Sequence, residues 1–313
     1  MVSDKFLKLN QMKKKINLYW YAHPEGEGNF GDELNPYIIE HLTGEKVNYL
    51  PIPGTRINRF LKLIKRLVLN QISFKNALSV LNSLRFKKYY IAIGSIIKSA
   101  EGRNCQVWGS GLMSRSDIIN KCTFFAVRGE ITRKRIKELG YNVPLAIGDP
   151  ALLLPIIYRP NSNKIYDLGV IPHFVQMTEL SKKLTSTNEN ILIIDLLKDP
   201  ETVIEQINSC KKTLSSSLHG IIVSHAYGIP SLWCNLGETT LHGDDVKFDD
   251  YFSSVNIKWY PKNEINLKCN ISDQVDSLFI KQSGQSLINV SIDKIQRSLI
   301  NCAPFQILEK YKR

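Results

Sequence analysis

YYIAIGSIIKSAEGRNCQVWGSGLMSRSDIINKCTFFAVRGEITRKRIKELGYNVPLAIGDP, residues 89–150, holds four short apolar runs that read as strands: YYIAIGS (89–95), QVWGSG (106–111), TFFAVRG (123–129) and PLAIGDP (144–150). EITRKRIKELGY (130–141) between the last two has helical periodicity, and Gly140 closes it as a C-cap. Strands alternating with helices predict a parallel sheet with crossover helices. The glycines that end these runs place their loops at the carboxyl edge of the sheet, where open α/β folds bind ligands. Toward the N-terminus, INLYWY (16–21) and GDELNPYIIEHLTG (31–44) extend the alternation by one strand and one helix.

Around IIYRPNSNK (156–164), Pro, Asn and Ser cluster as they do in a linker. A second alternation then begins. KIYDLGVIP (164–172), NILIID (190–195), KKTLSSS (211–217) and PSLWCN (230–235) read as strands. MTELSKKLTS (177–186), PETVIEQINSC (200–210) and HGIIVSHAYG (219–228) read as helices between them, with SIDKIQRSLINC (291–302) as the last helix. A chain of 313 residues suits two domains of roughly 150. The expected fold class is α/β, with two Rossmann-like domains whose parallel sheets face a central cleft. The first spans 1–158, with a basic helical insertion at 55–88; the second spans 159–313 and ends in a C-terminal helix.

No apolar run approaches the roughly 18 residues of a membrane span, and the basic stretch at 1–15 is not followed by a secretory apolar region. The cysteines at 105, 122, 210, 234, 269 and 302 show no C-x-x-C pairing, which favours reduced structural thiols. No metal-spaced His/Cys/Asp set occurs. The reading is a cytoplasmic protein without a metal or cofactor. Its net charge of +12 is concentrated: from Lys46 to Ala100 there is no Asp or Glu and there are eleven Lys or Arg. Within that block Phe60, Leu63, Ile64, Leu67 and Val68 recur at helical spacing, with Arg56, Arg59, Lys62 and Arg66 on another face. Two readings follow: a helix packed on its own domain with a solvated basic face, or attraction of residues 56–88 to an anionic membrane or a diphosphate-linked lipid. The block lacks interleaved aromatics, so nucleic acid is not expected.

Chemistry-bearing residues gather at the loops. GNFGDELNPYII (28–39) places Asn29, Asp32 and Glu33 after the first strand, with Asp32 or Asn35 as an N-cap or Asp32 as an acid or base. Arg128 leaves the end of an apolar strand, suited to an anion or to an internal ion pair. Asp149 reads as a cap for the turn beginning at Ala151. His219 stands between three serines and an apolar helix, where free amides and the positive dipole end meet an anion. His23, His225 and Tyr227 read as satisfied core residues.

GNFGDELNPYII, AIGS, VWGSGL, FFAVRGEIT, AIGDPALLLP, LGVIPHF, SSSLHGIIVSHAYGIPSLW and KFDDYFSSV, in that order, resemble the polysaccharide pyruvyl transferase family, particularly members acting in bacterial exopolysaccharide and capsule assembly. The resemblance implies a GT-B-like fold and transfer of the enolpyruvyl carbons of phosphoenolpyruvate to two hydroxyls of a sugar, closing a cyclic ketal. It implies His219 as the general acid or phosphate contact, Asp32 as base, and a donor site of Arg128, Ser216, Ser217, Leu218, Gly220, Gly94 and Ser95. The acceptor sugar would meet Asn29, Glu33, His173 and Lys247. A polyprenyl-diphosphate-linked acceptor would place the protein at the inner face of the cytoplasmic membrane. Where many relatives carry arginine two places before the histidine, this chain has Ser217, so Arg128, Arg133 or Lys247 would take more of the charge. A GT-B glycosyltransferase using a nucleotide sugar is the alternative, and a non-catalytic membrane-associated scaffold a further one.

Overall fold

The computed structural model describes residues 16–22, 28–72, 77–78, 80–81, 88–177, 180, 190–236, 244–265 and 271–312. The basic stretch 1–15, His23, Lys75, Arg85, Lys87, Cys269 and most of the helix expected over 177–186 lie outside them.

Two parallel sheets organise the chain. Strands β1 (Ile16–Tyr19), β2 (Val47–Tyr49), β3 (Tyr89–Ile91), β4 (Cys105–Trp108), β5 (Thr123–Val127) and β6 (Ala146–Ile147) form the first, in the order β2-β1-β3-β4-β5-β6. Strands β7 (Tyr166–Ile171), β8 (Ile191–Ile193), β9 (Cys210–Ser215), β10 (Ser231–Asn235) and β11 (Asn263–Glu264) form the second, in the order β11-β10-β9-β7-β8. Every pairing is parallel. The fold is therefore α/β with two Rossmann-like lobes, as the alternation predicts.

Strand order reverses once in each sheet, between β1 and β3 and between β7 and β9. The crevice outside the carboxyl ends at such a reversal is where these sheets take ligands. In the first lobe that crevice receives Asn29 to Glu33 and Gly94 to Ser95; in the second it receives His173 and Ser216 to His219.

Helix α1 (Phe30–Thr43) is capped by Asn29, whose side chain accepts from the Gly31 amide at 3.2 Å. This corrects the cap assignment to Asp32 or Asn35. Asn35 is instead buried and exchanges bonds of 2.9 and 3.2 Å with the Ile93 backbone, tying α1 to the chain just beyond β3.

Helix α2 (Arg56–Val68) is capped by Thr55 and forms where the basic pattern predicts it. Of the two readings, its orientation departs from the one that packs the apolar stripe on its own domain. Leu63 and Arg59 turn inward, at 2% and 1% exposure, while Phe60, Ile64, Leu67 and Val68 are exposed. The contact with the body is narrow: Leu63 packs with Ile52, Ala77 and Val80, and the Arg59 guanidinium stands 5.8 Å from the Tyr89 ring centre. One leucine and one long arginine stem fill that strip, leaving no room beneath for the apolar stripe.

The lobes share a continuous apolar core that includes Leu18, Phe30, Leu34, Val170, Leu214, Ile221 and Leu232. The Phe30 amide bonds the Leu196 carbonyl at 2.8 Å across them. Helix α9 (Ile292–Asn301), last in the chain, packs on the first lobe: Trp108 Nε1 donates to the Leu299 carbonyl at 3.0 Å and Gln296 to Leu152 at 2.8 Å. Phe305 then stacks edge-on against Trp108 and Tyr90, and the Leu308 amide bonds Leu42.

Candidate functional site

At the second lobe's reversal, β9 runs into helix α6 (Leu218–Ala226), whose N-cap Ser217 makes no side-chain cap bond. The first-turn amides of a helix have no intrahelical partner and carry its positive end. The loop before them is braced from beneath. Ser215 Oγ accepts from the Ser217 amide at 3.0 Å, and Ser216 Oγ donates to Gln176 at 2.7 Å while accepting from the His173 amide at 2.9 Å. Leu218 is a core residue. Gly220 is required by space, since a Cβ there would lie 2.4 Å from Ser215 Oγ.

His219 projects from that first turn onto the first lobe. Its ring lies over Gly31 so closely that a Cβ on Gly31 would fall 2.1 Å from Nδ1. Nε2 stands 3.8 Å from Asp149 Oδ2, and both atoms are buried without a hydrogen-bond partner. Asp149 is fully buried; its other oxygen caps the Ala151 amide at 2.9 Å, as its sequence position predicts. A buried carboxylate oxygen facing an unpartnered imidazole nitrogen is an arrangement one small shift from a charge-assisted hydrogen bond.

Asp32, on the first turn of α1, is the third member. Burial raises its pKa to about 7, with Glu33 adding to the rise and His219 pulling the other way. Glu33 is raised too, by burial, and its side chain folds over Gly28, where a Cβ would be 2.1 Å from Oε1. Thus Asp32 and Asp149 of one lobe flank His219 of the other.

The remaining predicted residues divide. Helix α7 (Val246–Ser254) carries Lys247, whose ammonium pKa falls to about 8 through burial and then the charge of Arg128, opposed by Asp245. His173 is held neutral, down to about 4, by burial and by Lys247 beside it. Arg128 is different: it is fully buried, and its Nε, Nη1 and Nη2 donate to Asp250 at 3.1 Å, Ser95 at 2.6 Å and the Leu112 carbonyl at 2.6 Å. Of the two roles left open for it, the structure shows the internal ion pair. Ser95 is thereby engaged as its partner. Gly94, at φ +107°, turns the chain so that its carbonyl accepts from Ser110 and Gly111. Arg133 is spent on Glu130, and Asn29 on the cap. His225, bonded to Tyr251 and Ser231, and Tyr227, bonded to the Tyr158 carbonyl, are satisfied residues as expected.

Three participants escaped the sequence reading: Gly31 as the seat of His219, Asp149 as its partner, and Asp250 as counter-ion of Arg128. Asp250 also accepts from the Thr132 amide and hydroxyl, latching α7 to the first lobe. Its signal was weak, an acid inside KFDDYFSSV 122 residues from Arg128. Among the described residues, no His/Cys/Asp/Glu group could hold a metal ion.

Two Rossmann-like lobes, with His219 of one set against Gly31 and Asp149 of the other, define the class, an α/β protein of two parallel-sheet lobes. The sequence profile of the family described as Polysaccharide pyruvyl transferase matches residues 29–237, and the chain belongs to that family. The match takes in Asp32, Asp149, His173 and His219 and stops short of Lys247. The chain is also similar to Uncharacterized protein L143 of Acanthamoeba polyphaga mimivirus, with 31% identity over 310 residues, 93% of this chain and 96% of that one. No solved structure matches it significantly.

Proposed function

We propose that the protein transfers the enolpyruvyl carbons of phosphoenolpyruvate to a sugar of a growing polysaccharide, forming a cyclic ketal and releasing phosphate, in capsule or exopolysaccharide assembly. The observation that carries this reading is His219, set at the open mouth of α6 and flanked by Asp32 and Asp149.

The chemistry needs an acid, a base and an anion cradle. A proton is added to the vinyl CH₂ of phosphoenolpyruvate as a sugar hydroxyl attacks the adjacent carbon and loses its own proton. Phosphate then leaves with the electrons of its C–O bond, and a second hydroxyl adds to the same carbon, releasing its proton. The α6 amides and the Ser217 hydroxyl suit the departing phosphate. His219 supplies the proton, with Asp149 Oδ2 standing 3.8 Å behind its Nε2. Asp32, whose pKa is about 7, accepts the sugar proton near neutrality. Lys247 takes the charge role that Ser217 and the engaged Arg128 leave open, and Glu33 and His173 border the acceptor side. Phosphoenolpyruvate is consumed as a substrate, and no step calls for a bound cofactor.

His219→Ala should lower phosphate release from phosphoenolpyruvate about 10²- to 10⁴-fold, the loss typical of a proton-transfer group. Turnover near the wild-type rate with a defined sugar acceptor would refute the assignment. Asp149→Asn keeps the cap and should lower kcat while leaving KM for phosphoenolpyruvate within a few-fold.

A further inference from the structure

Helix α2 turns a stripe of large apolar side chains to solvent. Ile57, Phe60, Leu61, Ile64, Leu67 and Val68 are 43–78% exposed, and at 3.6 residues per turn they occupy an arc of about 120°. Lys62, Lys65 and Arg66 fill the adjoining arc, Lys62 paired with Glu101 at 3.0 Å, and the helix is held to the body by the strip of Arg59 and Leu63 and by the bonds of Asn58 and Lys62 to Glu101. Leu78 and Leu81 add exposed apolar surface nearby. A contiguous patch of this kind marks an interaction surface.

Charge selects the partner. No acidic residue occurs between Lys46 and Ala100, so a second copy docked stripe to stripe would bring two basic flanks together. A nucleic acid offers phosphates but nothing to cover six aliphatic and aromatic side chains. An anionic bilayer surface offers both: acyl boundary for the stripe and phosphate headgroups for the ammonium and guanidinium ends. Placement agrees. The Arg66 charge reaches Tyr19 and Tyr49, the same two tyrosines that feel Asp32, so α2 borders the first-lobe side of the cleft. We infer that α2 lies in the surface of an anionic membrane, apolar stripe inward, holding the mouth of the cleft at the bilayer. This inference does not depend on the transferase reading.

The test is co-sedimentation of the full chain with vesicles of equimolar phosphatidylglycerol and phosphatidylcholine, against phosphatidylcholine alone. Binding to the anionic vesicles is expected, weakened by 0.5 M salt, where the Debye length is about 4 Å. Ile57→Ser/Leu61→Ser/Ile64→Ser/Val68→Ser should lose on the order of 100-fold or more in partitioning with an unchanged melting temperature. Lys65→Ser/Arg66→Ser should lose roughly 25-fold. The thermal shift produced by phosphoenolpyruvate should be the same in both variants, which separates this surface from the donor site. Wild-type partitioning by the four-serine variant would overturn the inference. So would a dimer in sedimentation velocity that the same variant dissolves, which would assign the stripe to a second copy.

Discussion

At the residue scale, Asp32 carries a carboxyl whose pKa is about 7 in the folded chain against 3.8 unfolded. The folded state therefore holds a proton that the unfolded state releases between those values, and stability present below pH 3.8 is lost as pH rises through 7. Asp32→Asn, neutral at every pH, should be more stable than wild type at pH 8 by on the order of 1–3 kcal/mol, a gain that vanishes near pH 4. Circular dichroism melts at the two pH values check this, and an equal gain at both would contradict the raised pKa. Gly31→Ala tests the seat of His219: the added methyl meets the ring at 2.1 Å, so the ring must move. The variant should stay folded and lose at least about tenfold in kcat, since small misplacements of reacting groups are expensive. His219 and Asp32 were legible because a helix mouth and a strand-end loop advertise themselves in sequence. Asp149 was read only as a cap because one oxygen does cap; the other oxygen's partner comes from a helix 70 residues on, and no local pattern records that.

At the element scale, the Arg128–Asp250 pair joins the end of β5 to α7 with both side chains fully buried. Removing one partner leaves the other charge buried alone, which costs about 3–5 kcal/mol. Asp250→Ala should accordingly lower the melting temperature strongly, and Arg128→Met/Asp250→Leu should recover part of the loss; an additive double variant would deny the coupling. Sequence patterns located the strands, except the short β2 and β11, and most helices because period and turn chemistry are local. They left the face of α2 open between two readings, since periodicity shows that a stripe exists but not which side the body touches. There the answer lay with Tyr89, Ile52 and Val80, residues outside the helix.

At the scale of the whole molecule, the ties between the lobes include Phe30 to Leu196, Tyr227 to Tyr158, α7 to the first lobe, and α9 across to Trp108 and Leu152. The two alternations and the linker near 158 foretold two lobes; the return of α9 was not legible, because an amphipathic helix carries no address for the surface it covers. Phosphoenolpyruvate at about 100 times its Kd should stabilise the protein by about 2.7 kcal/mol, a rise of several degrees in a melt, with no comparable rise from nucleotide sugars. The reverse outcome would favour the glycosyltransferase alternative. Because His219 belongs to one lobe and Asp32 and Asp149 to the other, neither half owns a working set of proton carriers. Residues 1–158 and 159–313 made as separate polypeptides would each be inert, and any activity on mixing them would report their reassembly. On the proposed chemistry, the same division would leave phosphoenolpyruvate bound by either lobe alone without the acid and base that its transfer needs.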